Sequence, residues 1–409
     1  MTSKCRFCAH PLTRTFVDLG MSPLSNRYLT AEQLNQMEPL YPLHAYVCDR
    51  CFLVQLDEFE TPERIFEDYA YFSSYSDSWL EHARQYANQI EQRLHLDASS
   101  QVIEIASNDG YLLNFFQKKD IPVLGIEPAT NVAKTAEHKG IRTLNRFFGT
   151  KLATELVGQS IRANLLIANN VLAHVPDLND FVCGMKQLLA PRGTITIEVP
   201  HLARLIEQNQ FDTIYHEHFS YFSFLTARQV LQHHQLTVFD VEELDTHGGS
   251  LRLYAKHAED QTKEISDRVE KMKAWEIARS YDQLSPYLAF GERVCDVKRK
   301  LLSFLISAKQ QGKRVVGYGA PAKGNTLLNY CGIRTDFLDF TVDRSPHKQG
   351  RFLPGTHIPI YSPERIDEIK PDYLLILPWN LREEIMQQMS RIRNWGGKFV
   401  VPIPESRVL

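Results

Sequence analysis

Gln101-Val102-Ile103-Glu104-Ile105-Ala106, then Ser107-Asn108-Asp109-Gly110, then residues 111–118 decide the fold of this chain. The first six residues carry the β-branched, apolar run of a buried strand. The next four are turn chemistry, and the following eight open a helix. A strand, a turn and a helix start in this order make the ligand crevice of an open α/β sheet. Downstream, Val123-Leu124-Gly125-Ile126-Glu127-Pro128 reads as a second strand that ends in an acid. That acid falls about 20 residues past the first turn, where an adenosine ribose would be gripped. Residues 165–170 form a third strand ending in Asn169 and Asn170, and residues 193–200 a fourth. Upstream, residues 79–96 read as a helix.

Such a series serves a nicotinamide dinucleotide or S-adenosylmethionine. The first turn holds one glycine, Gly110, and lacks the GxGxxG that lets a backbone approach a pyrophosphate. Residues 237–244 and 251–255, joined through Gly248-Gly249, resemble the terminal antiparallel pair with which class I methyltransferases close their sheet. That pattern favours S-adenosylmethionine. The expected cofactor contacts are Glu104, Ser107, Asn108, Asp109, Gly110, Glu127, Pro128, Asn169 and Asn170. Tyr71 and Tyr75 lie in a polar–aromatic stretch, 69–76, that either lines this cleft or packs between domains.

Cys5-Arg6-Phe7-Cys8 is followed forty residues on by Cys48-Asp49-Arg50-Cys51. Two residues between cysteines let both thiolates face one ion, and two such knuckles complete a tetrahedral four-thiolate zinc site. A site of that kind is coordinatively closed, so Cys5, Cys8, Cys48 and Cys51 are expected to hold a structural Zn2+. Redox CxxC motifs usually come singly. His10 and His44 lie nearby as possible replacement ligands. Residues 52–56 read as a strand.

Tyr215-His216-Glu217-His218 puts a phenol, two imidazoles and a carboxylate into four positions just after a core strand. Histidine is the natural base near neutral pH, and a phenol or carboxylate beside it orients it or handles a proton. The spacing is too tight for three metal ligands on one helix face, and HExxH is absent. The bland alternative is a pair of hydrogen-bonded structural histidines beside a cleft.

Residues 256–311 read as mostly helical, with Pro286 and Gly291 as breaks. Lys313-Arg314-Val315-Val316-Gly317-Tyr318-Gly319-Ala320 then opens a second α/β unit, with Lys323, Gly324 and Asn325 at the turn and helix start. Backbone donors and a lysine there suit a diphosphate. Residues 343–350, with Arg344, form a polar loop within reach of phosphates. Further strands are expected at 337–342, 372–377 and 398–402. Read alone, Gly317-Tyr318-Gly319 is better taken as a tight turn with basic groups in solvent.

The bulk numbers narrow the classes. The 409 residues allow two or three domains, and 43% hydrophobic against 23% charged residues is a globular balance. The formal net charge of −3 lacks the basic excess that nucleic acid demands. No apolar run spans a membrane, and the first residues lack the apolar core of a signal peptide. Seven cysteines, four of them in CxxC pairs, fit a reducing, cytoplasmic compartment. Nothing legible encodes an oligomer, and a monomer is expected.

Over essentially its whole length the sequence resembles the S-adenosylmethionine-dependent sugar C-methyltransferases that build branched deoxysugars on nucleotide carriers. The resemblance rests on the four cysteines, on 104–110, on Gly125-Ile126-Glu127-Pro128, on Tyr215-His216-Glu217-His218-Phe219, and on Gly317-Tyr318-Gly319-Ala320 with Lys323-Gly324-Asn325. It implies three parts: a zinc-binding domain (1–70), a class I, Rossmann-like methyltransferase domain (71–255), and a helical linker with a second Rossmann-like α/β domain (256–409). It implies His218 as the base, Tyr215 and Glu217 as its proton-handling partners, and His174, with Tyr71 or Tyr75, beside the sugar. Tyr318, Gly319, Ala320, Lys323, Asn325 and Arg344 would bind the carrier, dTDP or GDP. The expected reaction is methylation at carbon 3 of a 4-keto-6-deoxyhexose through an enolate. The alternatives are a nicotinamide oxidoreductase using the Gly317–Gly319 turn, and a non-catalytic zinc-ribbon module.

Overall fold

A computed structural model describes residues 3–61, 73–75 and 77–409, so Tyr71 lies outside the described residues and Tyr75 is described in its backbone alone. Three sheets organise the described chain. The N-terminal sheet comprises β1 (Arg14–Ser22), β2 (Tyr41–Val47) and β3 (Val54–Leu56), extended by β9 (Ser220–Tyr221) from the middle of the chain. The pairing of β3 with β9, Val54 opposite Tyr221 and Gln55 opposite Ser220, starts two residues after His218.

The central sheet holds β4 (Val102–Ile105), β5 (Val123–Ile126), β6 (Thr143–Leu144), β7 (Ala163–Asn169), β8 (Leu189–Pro200), β10 (Leu236–Leu244) and β11 (Ser250–His257). Its order is β10-β11-β8-β7-β4-β5-β6. β4 to β8 run parallel, while β11 lies antiparallel between β8 and β10. The expected hairpin therefore inserts its second strand into the sheet and leaves its first on the edge. The order reverses between β4 and β7, and ligands bind open α/β sheets at that point. The strands are buried on both faces because helices cover them, which explains their continuous apolar runs.

The C-terminal sheet comprises β12 (Val315–Tyr318), β13 (Thr341–Val342), β14 (Ile360–Tyr361), β15 (Tyr373–Ile376), β16 (Lys398–Val401) and β17 (Arg407–Val408) in the order β14-β13-β12-β15-β16-β17. It is parallel except for β17, and its own reversal point follows β12. The strand expected over 337–342 shrinks to Thr341–Val342. Gly291 is no break: it sits in the first turn of the helix Phe290–Gln310, where a helix start tolerates it. Pro286 occupies the first turn of the helix Ser285–Leu288, where its missing N–H costs nothing.

The N-terminal sheet cements the other two units. One hydrophobic core joins Phe16, Val17 and Leu43 to Tyr287, Phe290 and Val294 of the C-terminal helices, with Phe16 and Phe290 stacked at 4.7 Å. Another joins Cys5, Cys48, Cys51 and Leu53 to Phe222, Phe224 and the central sheet. No helix of the described residues is long and apolar enough to cross a membrane.

Candidate active site

The four Sγ atoms of Cys5, Cys8, Cys48 and Cys51 lie within 4.8 Å of one another, with Cys5 to Cys51 and Cys8 to Cys48 both at 3.5 Å. A tetrahedral zinc with bonds of about 2.3 Å sets such edges at about 3.8 Å. The two knuckles repeat one backbone plan. Ala9 donates to the Cys5 carbonyl at 2.8 Å and Phe52 to the Cys48 carbonyl at 2.9 Å, and both residues take left-handed φ values of 58° and 59°. Gln55 adds an Nε2–H donor to the Cys5 sulfur at 3.2 Å. His10 and His44 are engaged elsewhere, by Asp49 and by Thr15. The donor set therefore fits a structural zinc with four thiolates.

At the reversal point of the central sheet, side chains from β4, β5, β7 and β8 converge. Glu127 accepts backbone N–H bonds from Asn108 (2.9 Å) and Ala129 (2.8 Å), yet burial still pushes its carboxyl up to about 7. Glu104 is buried and held far above the ordinary carboxylate range, first by desolvation and then by the charges of Glu127, Asp109 and Glu198. Asp109 accepts from Ser74 and from Lys139. Among the described residues, five buried oxygens here have no partner: Glu104 Oε2, Ser107 Oγ, Asp109 Oδ1, Asn169 Oδ1 and Asn170 Oδ1. Crowded carboxylates with unsatisfied acceptors match a ligand that brings cationic centres and hydroxyl donors, which S-adenosylmethionine does. Gly110 is required by the turn, at φ +74° and with a Cβ that would lie 2.9 Å from Ile141. The Pro128 carbonyl is taken by Asn145 at 2.8 Å.

Beside this crevice stands the Tyr215–His218 segment. His218 donates its Nδ1–H to the Thr213 carbonyl at 3.0 Å, which leaves Nε2 as the basic nitrogen. Desolvation, then the proximity of His174, depresses its pKa well below the usual histidine value. Tyr215 lies over the ring at 4.0 Å between centroids, and His174 meets it edge-on at 4.7 Å. His174 is itself lowered to about 4 by burial. Glu217 points another way: buried, pushed up to about 7 by desolvation, it accepts a 2.7 Å bond from Asn26 of the N-terminal unit. His216 faces that unit too, against Tyr41, Phe59 and the Pro42 carbonyl. The four-residue cluster thus divides, with Tyr215 and His218 on one side and His216 and Glu217 on the other.

The C-terminal turn differs from the cradle expected of it. The Gly319 N–H is bonded to the Val342 carbonyl at 2.6 Å and the Ala320 N–H to the Asp343 carboxylate at 2.8 Å, so these two donors do not face a diphosphate. Tyr318 bonds Gln388, and Arg344 is exposed with Glu384 3.9 Å away. Asn325 is fully buried, its Oδ1 taken by Asn329, and the structure does not bring it to the turn's surface. Lys323 instead reaches towards the central unit. Its Nζ bonds Asn380 at 2.9 Å, lies 4.7 Å from the Trp379 ring centre, and acts electrostatically on Asp212, His218 and His247. Asp212, pushed up to about 7 by burial, accepts from Trp379 Nε1 at 2.7 Å. Asp212, Trp379, Asn26 and His247 are residues the sequence reading missed.

A four-thiolate zinc unit and a class I sheet with an acidic, donor-hungry crevice define an S-adenosylmethionine-dependent methyltransferase. Comparison with known proteins narrows the class. Family models match residues 5–66 as a zinc binding domain, 79–241 as a methyltransferase domain and 245–404 as a C-methyltransferase C-terminal domain. The chain is 36% identical over 406 residues to C-methyltransferase NovU of Streptomyces niveus, covering 99% of this chain and 96% of that protein. It belongs to the C-methyltransferase family and is a methyltransferase enzyme, which sets aside the nicotinamide and non-catalytic readings. Among solved structures it is similar to the 1,6-didemethyltoxoflavin-N1-methyltransferase of Burkholderia thailandensis, at 18% identity and a TM-score of 0.37 over 51% of this chain and 95% of that one. A second is the PH0226 protein of Pyrococcus horikoshii, at 12% identity and a TM-score of 0.38 over 49% of this chain and 99% of that one.

Proposed function

We propose that this enzyme methylates carbon 3 of a nucleotide-linked 4-keto-6-deoxyhexose, with His218 as the base. The observation that carries the reading is the His218–Thr213 bond. It fixes one tautomer, and desolvation keeps the ring neutral, so Nε2 is ready to accept a proton. A ketone at carbon 4 acidifies the hydrogen on carbon 3. Nε2 takes that proton, the C–H pair becomes the double bond between carbons 3 and 4, and the carbonyl pair moves onto oxygen. Tyr215 and His174 hold the imidazole from two sides. The cofactor, held by Glu104, Ser107–Gly110, Glu127 and Asn169–Asn170, supplies an electrophilic methyl group when bound.

Lys323 is the cation assigned to the carrier's phosphates, since its Nζ lies over Trp379 beside Asn380 while the Gly319 and Ala320 donors are spent within the turn. We divide the chain at 1–70, 71–255 and 256–409, and read it as a monomeric cytoplasmic enzyme on a dTDP- or GDP-linked sugar. The test is mass spectrometry of both carriers' 4-keto-6-deoxyhexoses after incubation with enzyme and S-adenosylmethionine. One added methyl is expected, with exchange of the carbon 3 hydrogen in D2O when S-adenosylhomocysteine replaces the cofactor. No methyl gain with either carrier would move the acceptor to another class.

A further inference from the structure

The turn between β10 and β11, Asp245-Thr246-His247-Gly248-Gly249, lies where β8 ends, with Ser250 opposite Pro200 and Leu251 opposite Val199. It is therefore on the ligand side of the sheet. His247 takes φ +57° and ψ +16°, a left-handed conformation uncommon for any residue but glycine and typical of sites where the surrounding structure imposes it. That surrounding structure is visible. Gly248, which follows, packs so closely on Trp379 of the C-terminal unit that a Cβ would lie 2.7 Å from its ring, and its carbonyl accepts from Gln210 at 2.7 Å.

The imidazole so presented is solvent-accessible, and among the described residues neither ring nitrogen has a hydrogen-bond partner. It is nonetheless surrounded. The Trp79 ring lies 5.3 Å away, and Lys323, Glu198 and His82 act on it electrostatically. The same Trp379 that Gly248 packs on is anchored to Asp212, next to Thr213, whose carbonyl holds His218, so the turn and the base converge on one side of the C-terminal unit. An accessible ring set against the face of Trp79, on a turn that packs on Trp379 at the ligand end of the sheet, is placed as a side chain at a ligand cleft is placed.

We infer that His247 is a catalytic hydrogen-bond donor to the oxygen on carbon 4 of the sugar, acting across the cleft from His218. Removal of a proton from carbon 3 sends negative charge to the oxygen on the adjacent carbon, so base and donor must flank neighbouring atoms. Tyr215 and His174 pack on the His218 ring itself, whereas the His247 nitrogens bond none of the described residues. A donor to a developing oxyanion serves best as a neutral N–H that keeps its proton. Partial desolvation, and then the charge of Lys323, lower its pKa below the ordinary histidine value, so the neutral ring is favoured near pH 7. The imidazole keeps its proton throughout the step, and the proton taken by His218 is the only one that moves.

This inference rests on the acceptor proposed above, and the experiment separates the two. Carbon 3 hydrogen exchange is followed in D2O at saturating nucleotide-linked 4-keto-6-deoxyhexose, with S-adenosylhomocysteine bound, for wild type, His247→Gly and His247→Asn. Glycine keeps the left-handed backbone and removes the donor; asparagine keeps both the conformation and an N–H. The expected result is a loss of roughly 10²–10³-fold in exchange for His247→Gly, partial recovery for His247→Asn, and unchanged affinity for S-adenosylhomocysteine. Wild-type exchange in His247→Gly, or a change confined to KM, would overturn the assignment. Absence of exchange in the wild type with both carriers would instead overturn the acceptor and the inference with it.

Discussion

Asn26 of the zinc-bearing unit donates a 2.7 Å hydrogen bond to the buried carboxylate of Glu217, one residue before His218 in the chain. The same stretch is fastened to the C-terminal unit: the Tyr28 hydroxyl donates to the Ala320 carbonyl at 2.6 Å, and Lys348 donates to the same oxygen at 2.9 Å. β9 leaves the Tyr215–His218 segment to join β3. The zinc unit therefore braces the segment at Glu217 and again just after His218, where β9 joins β3. Burial already pushes Glu217 up to about 7, and the Asn26 bond opposes that rise. Asn26→Ala is expected to move an inflection near pH 7 in the activity profile upward and to lower kcat by roughly tenfold, given the weight of a hydrogen bond to a charged group. A kcat profile superimposable on wild type would show that this bond tunes nothing.

His218 is held neutral by desolvation and by His174, so its pKa lies well below the usual histidine value. Protonation inactivates a base. The sign is therefore fixed: activity attributable to His218 persists as pH falls below the ordinary histidine range and is lost only under more acidic conditions. Exchange at carbon 3, measured against pH, should show no acid limb from this residue near 6.5. His218→Ala should lose roughly 10²–10⁴-fold in turnover while binding the cofactor normally. An acid limb near 6.5 that disappears in this variant would contradict the depressed value.

What was legible in the sequence follows the range of the interactions. Val102–Ile105 with its turn, and the two CxxC pairs, are short patterns whose meaning is contained within a few residues. The hairpin 237–244/251–255 is likewise local, though its insertion between β8 and the sheet edge is not. Asn26 and Glu217 are 191 residues apart, and Trp379 and Asp212 are 167 apart. No periodicity links such pairs. His247 was hidden because Gly248-Gly249 marks a turn by itself, and a turn pattern does not say that its remaining side chain faces a cleft. Asn325 misled for the opposite reason: a helix start beside a glycine turn suggests phosphate binding, but the helix Ala322–Cys331 buries that position.

With Glu127 assigned to the cofactor's ribose as proposed above, cofactor binding is expected to depend on pH. Its folded-state carboxyl sits at about 7 because burial outweighs two backbone donors. Ribose hydroxyls donate best to an ionised carboxylate, so affinity for S-adenosylmethionine should fall as pH drops through 7, by up to about tenfold per unit. Calorimetric titrations from pH 5.5 to 8.5 would show the slope, and Glu127→Gln should flatten it. The stability of the free enzyme has the opposite sign. A carboxyl raised above its unfolded value stabilises the fold at low pH, and that contribution is lost as pH rises through about 7.

Loss of zinc should reach beyond the N-terminal unit. Cys5, Cys48 and Cys51 share a core with Phe222, Phe224 and the central sheet, and Thr226 bonds the Cys51 carbonyl at 3.2 Å. Cys48→Ser, or treatment with a strong chelator, is expected to lower the melting temperature of the whole enzyme by several degrees and to reduce turnover while zinc content falls. Elemental analysis together with calorimetry checks this. A zinc-free enzyme with the wild-type melting temperature would dissociate the knuckles from the fold.

Gly248 is a point of close contact between the β10–β11 turn and the C-terminal unit. Its φ is +91°, and a Cβ there would lie 2.7 Å from the Trp379 ring and 2.9 Å from Gln210 Nε2. Trp379 cannot simply swing aside, because its Nε1 is anchored on the buried Asp212 at 2.7 Å and Lys323 lies over its ring. Gly248→Ala must therefore strain the turn or displace the tryptophan. Either route costs about 1–3 kcal/mol, by the usual weight of an unfavourable backbone conformation or a core displacement. It also shifts the two groups that line the cleft beside it, His247 and Lys323. The expected pattern is a lower melting temperature with a raised KM for the proposed sugar nucleotide and an unchanged affinity for S-adenosylmethionine, whose crevice is proposed at the reversal point of the central sheet. A variant that loses stability but keeps its KM would mean that the turn holds the units together without shaping the cleft.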